Sequence, residues 1–235
     1  MTTDQSTSIR PLPTTSLRKT ALIAGLLYLL TFVSIPTLGL YGSVHDPNYV
    51  VGPGSNSPVL VGGVLEVIVA LAGVGTAVVL YPVVKRQNEA VALGFVASRT
   101  LEGAGILAGV ACLLAVVALR EAGAGAGALV TGQTLVILYD RIFLLSQSLM
   151  PVVNDLLLGY LLYKSRLVPR VLPWIAFIGA PLLLVADAAV LFGVVDRVSA
   201  LPAIAALPVA LFEFSLGVYL TVKGFRPSPI TAGMV

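Results

Sequence analysis

The stretch AVALGFVASRTLEGAGILAGVACLLAVVAL, residues 90–119, is an apolar run broken by only two charges, Arg99 and Glu102. About 20 such residues cross the hydrocarbon core of a bilayer as a helix, so the run is read as a membrane span. Five more runs of this kind flank it, over about 20–41, 59–84, 143–163, 171–195 and 200–222. The composition agrees with that reading: 57% of the 235 residues are hydrophobic and 11% are charged, whereas soluble domains carry roughly 25% charged residues. It excludes a disordered chain, a nucleic-acid-binding domain and a disulfide-rich secreted domain. The fold class is therefore an all-α polytopic membrane helix bundle of six transmembrane helices, with the bilayer as its first partner.

The segments between the spans set the organisation. Residues 1–19 are polar and end in Arg18-Lys19, which reads as a flexible cytoplasmic tail. Residues 20–225 form one membrane domain and 226–235 a second cytoplasmic tail. The run after Lys19 is longer than the apolar region of a usual signal peptide and lacks a small-x-small cleavage pattern, so it is read as the first span. The loop GSVHDPNYVVGPGSNSP, residues 42–58, is dense in Gly, Pro, Asn and Ser and has no Lys or Arg, which places it outside. Residues 129–163 would make a helix about 52 Å long, too long for one span. They are divided into an interfacial helix over 129–139 and a span from about 143, with Pro151 as a kink and Asp140 and Arg141 at the interface.

Six spans put both termini on one side, and the basic residues say which. Arg10, Arg18, Lys19, Lys85, Arg86, Lys164, Arg166, Arg170, Lys223 and Arg226 fall on the tail side, against Arg120 and Arg197 opposite. That bias predicts cytoplasmic termini.

Little here suggests cofactor chemistry. EAGAGAGA, residues 121–128, follows no strand and lacks the Gly-Lys-Ser/Thr ending of a phosphate loop, so it is a linker. The single Cys112 makes no disulfide within the chain, and the single His45 lies in a polar loop. Zinc needs three or four close ligands that are not supplied. No cofactor or metal is expected, a metal held by carboxylates alone being the one arrangement left open.

Ionisable groups inside spans are costly and mark function by default. Arg99, Glu102, Asp155 and Glu213 all fall about 13–15 Å from the tail-side boundary at 1.5 Å per residue, with Asn154 beside Asp155. Glu66 and Asp187 come out at roughly 22–24 Å, where reaching outer interfacial water is their simplest role. Arg99 and Glu102, three apart, share a helix face and suit a guanidinium–carboxylate pair. That pair reads either as a structural clasp or as part of a site. Five carboxylates at membrane level, Glu66, Glu102, Asp155, Asp187 and Glu213, face one guanidinium. Some must then be protonated, hydrated or neutralised by a cation. The seven-residue spacings Gln147/Asn154 and Arg141/Ser148/Asp155 give the fourth span a polar face, and Gly105 and Gly109 form a small-xxx-small pair suited to close packing or to oligomerisation. Pro36, Pro151, Pro173, Pro181 and Pro208 kink or begin spans and leave room for a ligand.

Five segments carry a resemblance: RKTALIAGLLYLLTF (18–32), LYPVVKR (80–86), SRTLEG (98–103), LLLGYLLYKSRLVPRVLPW (156–174) and FEFSLGVYLTVKGF (212–225). Together they resemble the bacterial domain-of-unknown-function family DUF4386 over about 18–225. The resemblance implies a six-span bacterial inner-membrane protein, favours Arg99, Glu102, Asp155 and Glu213 as the residues of interest, and supplies no reaction.

Three functions fit. The first is binding or transport of a small molecule, organic cation or proton through the Arg/Glu/Asp cluster. The second is acid–base catalysis, of isomerase or cyclase type, on an isoprenoid or other lipid-like substrate. The third is a scaffold or accessory subunit in which the cluster is glue. With no Ser-His or Cys-His pair, hydrolysis is disfavoured.

Overall fold

The computed structural model describes residues 15–232, so most of the amino-terminal tail lies outside the described residues. The chain forms α1 (Thr15–Thr31), a 3-10 turn and a short α2 (Thr37–Leu40), α3 (Ser57–Val84), α4 (Glu89–Glu121), α5 (Leu129–Phe143), α6 (Leu149–Ser165), α7 (Val171–Leu191) and α8 (Ala200–Val222). Six helical segments among the described residues are long and apolar enough to cross a membrane. Their starts follow local chemistry. Asn88 caps α4 by accepting from the Val91 amide at 3.1 Å, with Glu89 next to the positive end of the helix. Pro58 occupies the first turn of α3, where its missing N–H costs nothing.

Each span packs on the next, and α1 closes against α8, so the six make a ring. Small residues set the closest seam. A Cβ on Gly25 of α1 would lie 2.7 Å from the Gly217 carbonyl oxygen and 2.6 Å from the Thr221 amide of α8. Arg18 locks the same seam, donating to the carbonyls of Leu220 (2.9 Å), Thr221 (2.7 Å) and Val222 (3.2 Å) at the end of α8. The start of α1 and the end of α8 therefore meet on one face of the bundle, the tail face.

Three boundaries differ from the sequence reading. Residues 15–19 already belong to α1 rather than to a tail. The fifth span, α7, stops at Leu191 rather than 195, turning at Gly193 with φ +70°. The fourth segment is one continuous helical body, Ala126–Ser165, with no break between the 129–139 stretch and the span from 143. It stays whole because the 42–56 loop covers its first turns: Gln133 Nε2 donates to the Pro47 carbonyl at 3.2 Å, and Val50 packs against Gly132. Between α5 and α6 it widens into a π turn, Leu144–Ser148. Pro151 explains the position, since its ring cannot accommodate the carbonyl four residues back in a tight α turn.

The two halves of the ring are filled unequally. On the tail side one apolar cluster, including Tyr28, Leu80, Phe95, Leu158, Phe212 and Leu216, fills the interior. On the loop side a smaller core, including Tyr41, Val59, Leu113 and Tyr139, lies between α3, α4 and α5, and the space toward α7 and α8 stays open. Leu26, Val64, Leu71, Leu101, Val185 and Ile204 are exposed on the outside, where lipid is the solvent.

The Gly105/Gly109 face is occupied within the chain. A Cβ on Gly109 would meet the Tyr139 ring at 3.2 Å, and one on Gly105 would overlap Ser146. These glycines let α5 and the π turn approach α4, the close packing that the small-xxx-small spacing suits.

Candidate functional site

Arg99 is 3% exposed and sits at the centre of the ring. Its Nη1 donates to Glu102 Oε2 at 3.0 Å on the same helix, and its Nη2 pairs with Glu213 Oε1 on α8. The guanidinium lies 5.4 Å from the Tyr28 ring centroid on α1 and 6.0 Å from that of Phe95. Asn154 of α6 donates to the same Glu102 oxygen at 2.6 Å. One cation thus ties α1, α4 and α8, the geometry at which Arg is better than Lys, and Glu102 joins α6 to them through Asn154. Asp155, the next residue, is 0% exposed, and neither carboxyl oxygen has a hydrogen-bond partner among the described residues. Arg99 Nε and Asn154 Oδ1 are likewise unpartnered.

A second pair of acids lies nearer the loop side. Glu66 Oε1 accepts from the Tyr139 hydroxyl at 2.9 Å and from Gln147 Nε2 at 3.1 Å, while Ser148 donates to Asp187 Oδ1 at 2.6 Å. Glu66 is 0% and Asp187 4% exposed, and each is met by a donor from within the bundle. The π turn is the reason. It lets consecutive residues, Gln147 and Ser148, reach α3 and α7 respectively, and each supplies a donor to a buried carboxylate. The same widening breaks the seven-residue polar stripe, leaving Arg141 exposed and outside the site.

A cavity of about 760 Å³ joins these groups. Arg99, Glu102 and Glu213 line its deep end, Gln147, Ser148 and Asp187 its wall, and Arg197 to Ser199 its outer end in the α7–α8 loop. The remaining wall is apolar, including Ile35, Ile106, Leu183, Val190 and Leu207. The filled tail-side core closes the other end. Asn154 and Asp155 stand behind the deep end rather than lining the cavity, and Glu66 touches it only through Gln147.

A vestibule of about 570 Å³ adjoins the cavity and shares Leu38, Phe143, Leu144, Val190, Arg197 and Val198 with it. At this junction Arg197 Nη2 donates to Asp140 Oδ1 at 2.8 Å and its guanidinium lies 4.7 Å from the Phe143 ring centroid. His45 Nε2 approaches the same Asp140 oxygen at 3.2 Å, and its Nδ1 faces the Tyr41 carbonyl at 2.8 Å. Acceptors at both ring nitrogens favour the imidazolium. The Asp140 hydrogen bond holds His45 above the ordinary histidine range, against the opposing effect of burial. The folded state then binds the proton more tightly than the unfolded chain, so this contribution is complete at low pH and is lost as pH rises through the raised value. The melting temperature of the wild type should fall as the pH rises above the ordinary histidine value of about 6.5, while that of His45→Gln stays flatter. Parallel curves would show that the contact carries no stability.

Sequence reasoning missed Tyr28, Tyr139 and the His45–Asp140–Arg197 contact. Each of the two tyrosines is a hydroxyl in the middle of an apolar run. That was the available signal.

Fold and site together define a multi-pass integral membrane protein whose six-helix ring encloses a charged cavity. The family model for the domain of unknown function (DUF4386) matches residues 23–224, and the chain belongs to that family. No curated protein and no solved structure matches the chain.

Proposed function

We propose that the protein binds a small amphipathic organic cation in the central cavity and moves it across the bacterial inner membrane. The observation that carries this reading is the deep end of the cavity, where two carboxylates, Glu102 and Glu213, share one guanidinium. Asp187 adds a third acid to the wall, and Arg197 at the outer end is already matched by Asp140. The lining therefore carries an excess of negative charge above an apolar wall, which a hydrophobic amine complements. Glu213, at 14% side-chain exposure, is the most accessible acid of the central ion cluster. The ten basic residues of the tail face support cytoplasmic termini, which makes the cavity one that opens outward.

The other readings fit the geometry less well. A general acid must be uncharged and within reach of substrate, yet Glu102 and Glu213 are held by Arg99, and the unpaired Asp155 does not line the cavity. A purely structural clasp has no need of a cavity this size.

The test uses ethidium and tetraphenylphosphonium with purified protein in detergent. The wild type should bind at least one of them, and Glu213→Gln should weaken that binding about tenfold, the cost of roughly 1.4 kcal/mol of lost charge pairing, at unchanged expression. Binding of neither cation by the wild type, or equal affinity in the variant, would overturn the reading.

A further inference from the structure

Asp155 has no role in the binding site as described, and its surroundings are unusual for a carboxyl group. Among the described residues, Glu66, Glu102, Asp187 and Glu213 each have at least one hydrogen-bond donor. Asp155 has none, at zero exposure. A bare carboxylate in a bilayer interior is strongly disfavoured, whereas the acid form is not. The groups facing it are Tyr28 from α1, Arg99 and Glu102 from α4 and Glu213 from α8, all within electrostatic reach. The helices α3 and α7 carry only Glu66 and Asp187 as charged residues, and both engage partners nearer the loop side. Arg99 Nε also lacks an acceptor among the described residues, and its guanidinium is within electrostatic reach of Asp155.

We infer that Asp155 is the proton-exchange group of the cavity, giving up one proton for each monovalent cation that binds at Glu213. This rests on the cation-binding reading above. A cation arriving at Glu213 competes with Arg99 for that carboxylate. Arg99, drawn off Glu213, needs a new anionic partner, and its unused Nε–H and the unused oxygens of Asp155 supply one. The Asp155 O–H bond breaks, its proton leaves to water, and the carboxylate so formed pairs with the guanidinium. One positive charge enters and one leaves, so the net charge of the buried cluster is unchanged. An exchange of this kind avoids the penalty of an extra charge in the membrane interior.

The experiment measures ethidium binding in weakly buffered solution with a pH indicator. The wild type should release close to one proton per ethidium bound, and its affinity should rise about tenfold per pH unit, as reciprocal linkage of one proton requires. Asp155→Asn, which mimics the uncharged acid, should still bind ethidium, release no proton and lose the pH dependence. Glu66→Gln should release the proton as the wild type does. Where only tetraphenylphosphonium binds, it replaces ethidium in the same measurement; wild-type binding without proton release overturns the inference and leaves the cation site standing, whereas the absence of binding of both cations removes both. Proton release that survives in Asp155→Asn, or that is lost in Glu66→Gln alone, places the exchange elsewhere and overturns it. Should Asp155→Asn fail to fold, Asp155→Ser carries the same expectation, and proton release that survives in it overturns the inference.

Discussion

Arg99→Ala should destabilise the protein by about 3–5 kcal/mol, the usual cost of removing one partner from a buried ion pair. The change deletes the cation that holds Glu102 on α4 and Glu213 on α8 and leaves both acids in a poorly solvated interior. It also takes a cation from the Tyr28 face, removing the link to α1. Thermal or denaturant unfolding of purified protein, followed by its helical signal, reads the loss directly. Arg99→Lys should fall between wild type and alanine, because one ammonium lacks the fork that reaches two carboxylates. The double variant Arg99→Ala/Glu213→Gln should recover part of the deficit, since one of the stranded charges is gone. A loss under about 1 kcal/mol for Arg99→Ala, the scale of an exposed pair, would mean that water already solvates the cluster.

The second large effect belongs to the α1–α8 seam. Gly25→Leu should cost about 3 kcal/mol, the upper end of the overpacking range, and should separate the first and last spans. A Cβ alone would press on the backbone of Gly217 and Thr221, neither of which is a side chain that can rotate away. The whole of α8 must then move, and with it Glu213 and the carbonyls that Arg18 caps. Gly39→Leu is the control, because a Cβ at Gly39 meets nothing within 4 Å. Comparing their unfolding midpoints with that of wild type checks the prediction. Equal midpoints for Gly25→Leu and Gly39→Leu would show that the seam is looser than drawn.

Most of the fold was legible because a bilayer leaves few options: long apolar runs must be helices, and their number follows from counting. The level of Arg99, Glu102, Asp155 and Glu213 was legible too, since rise per residue converts sequence into depth. What depth cannot supply is direction around the helix axis. Asn154 and Asp155 are neighbours in sequence, yet one holds Glu102 and the other holds nothing. The fourth span hid its geometry further, because a π turn adds a residue to the repeat on which the stripe from Arg141 to Asp155 was based. The His45–Asp140–Arg197 contact joins residues 95 and 57 positions apart, a pairing that no local pattern announces. The face at Gly105 and Gly109 shows a similar limit. Small residues advertise close approach without saying whether the neighbour is another molecule or the next helix of the same one.

The widened turn at Leu144–Ser148 also bears on how such a chain can change length over evolutionary time. A π turn holds one residue more than the α turn it replaces while the helix continues on either side. Removing a residue there would restore the regular repeat and swing everything beyond it by about 100° about the helix axis. Asn154 and Asp155 would turn away from Arg99, and Gln147 and Ser148 would no longer serve opposite walls. An indel at this spot is thus a rotation of half the span, and the present phase of the fourth helix is the one in which all four of these side chains converge.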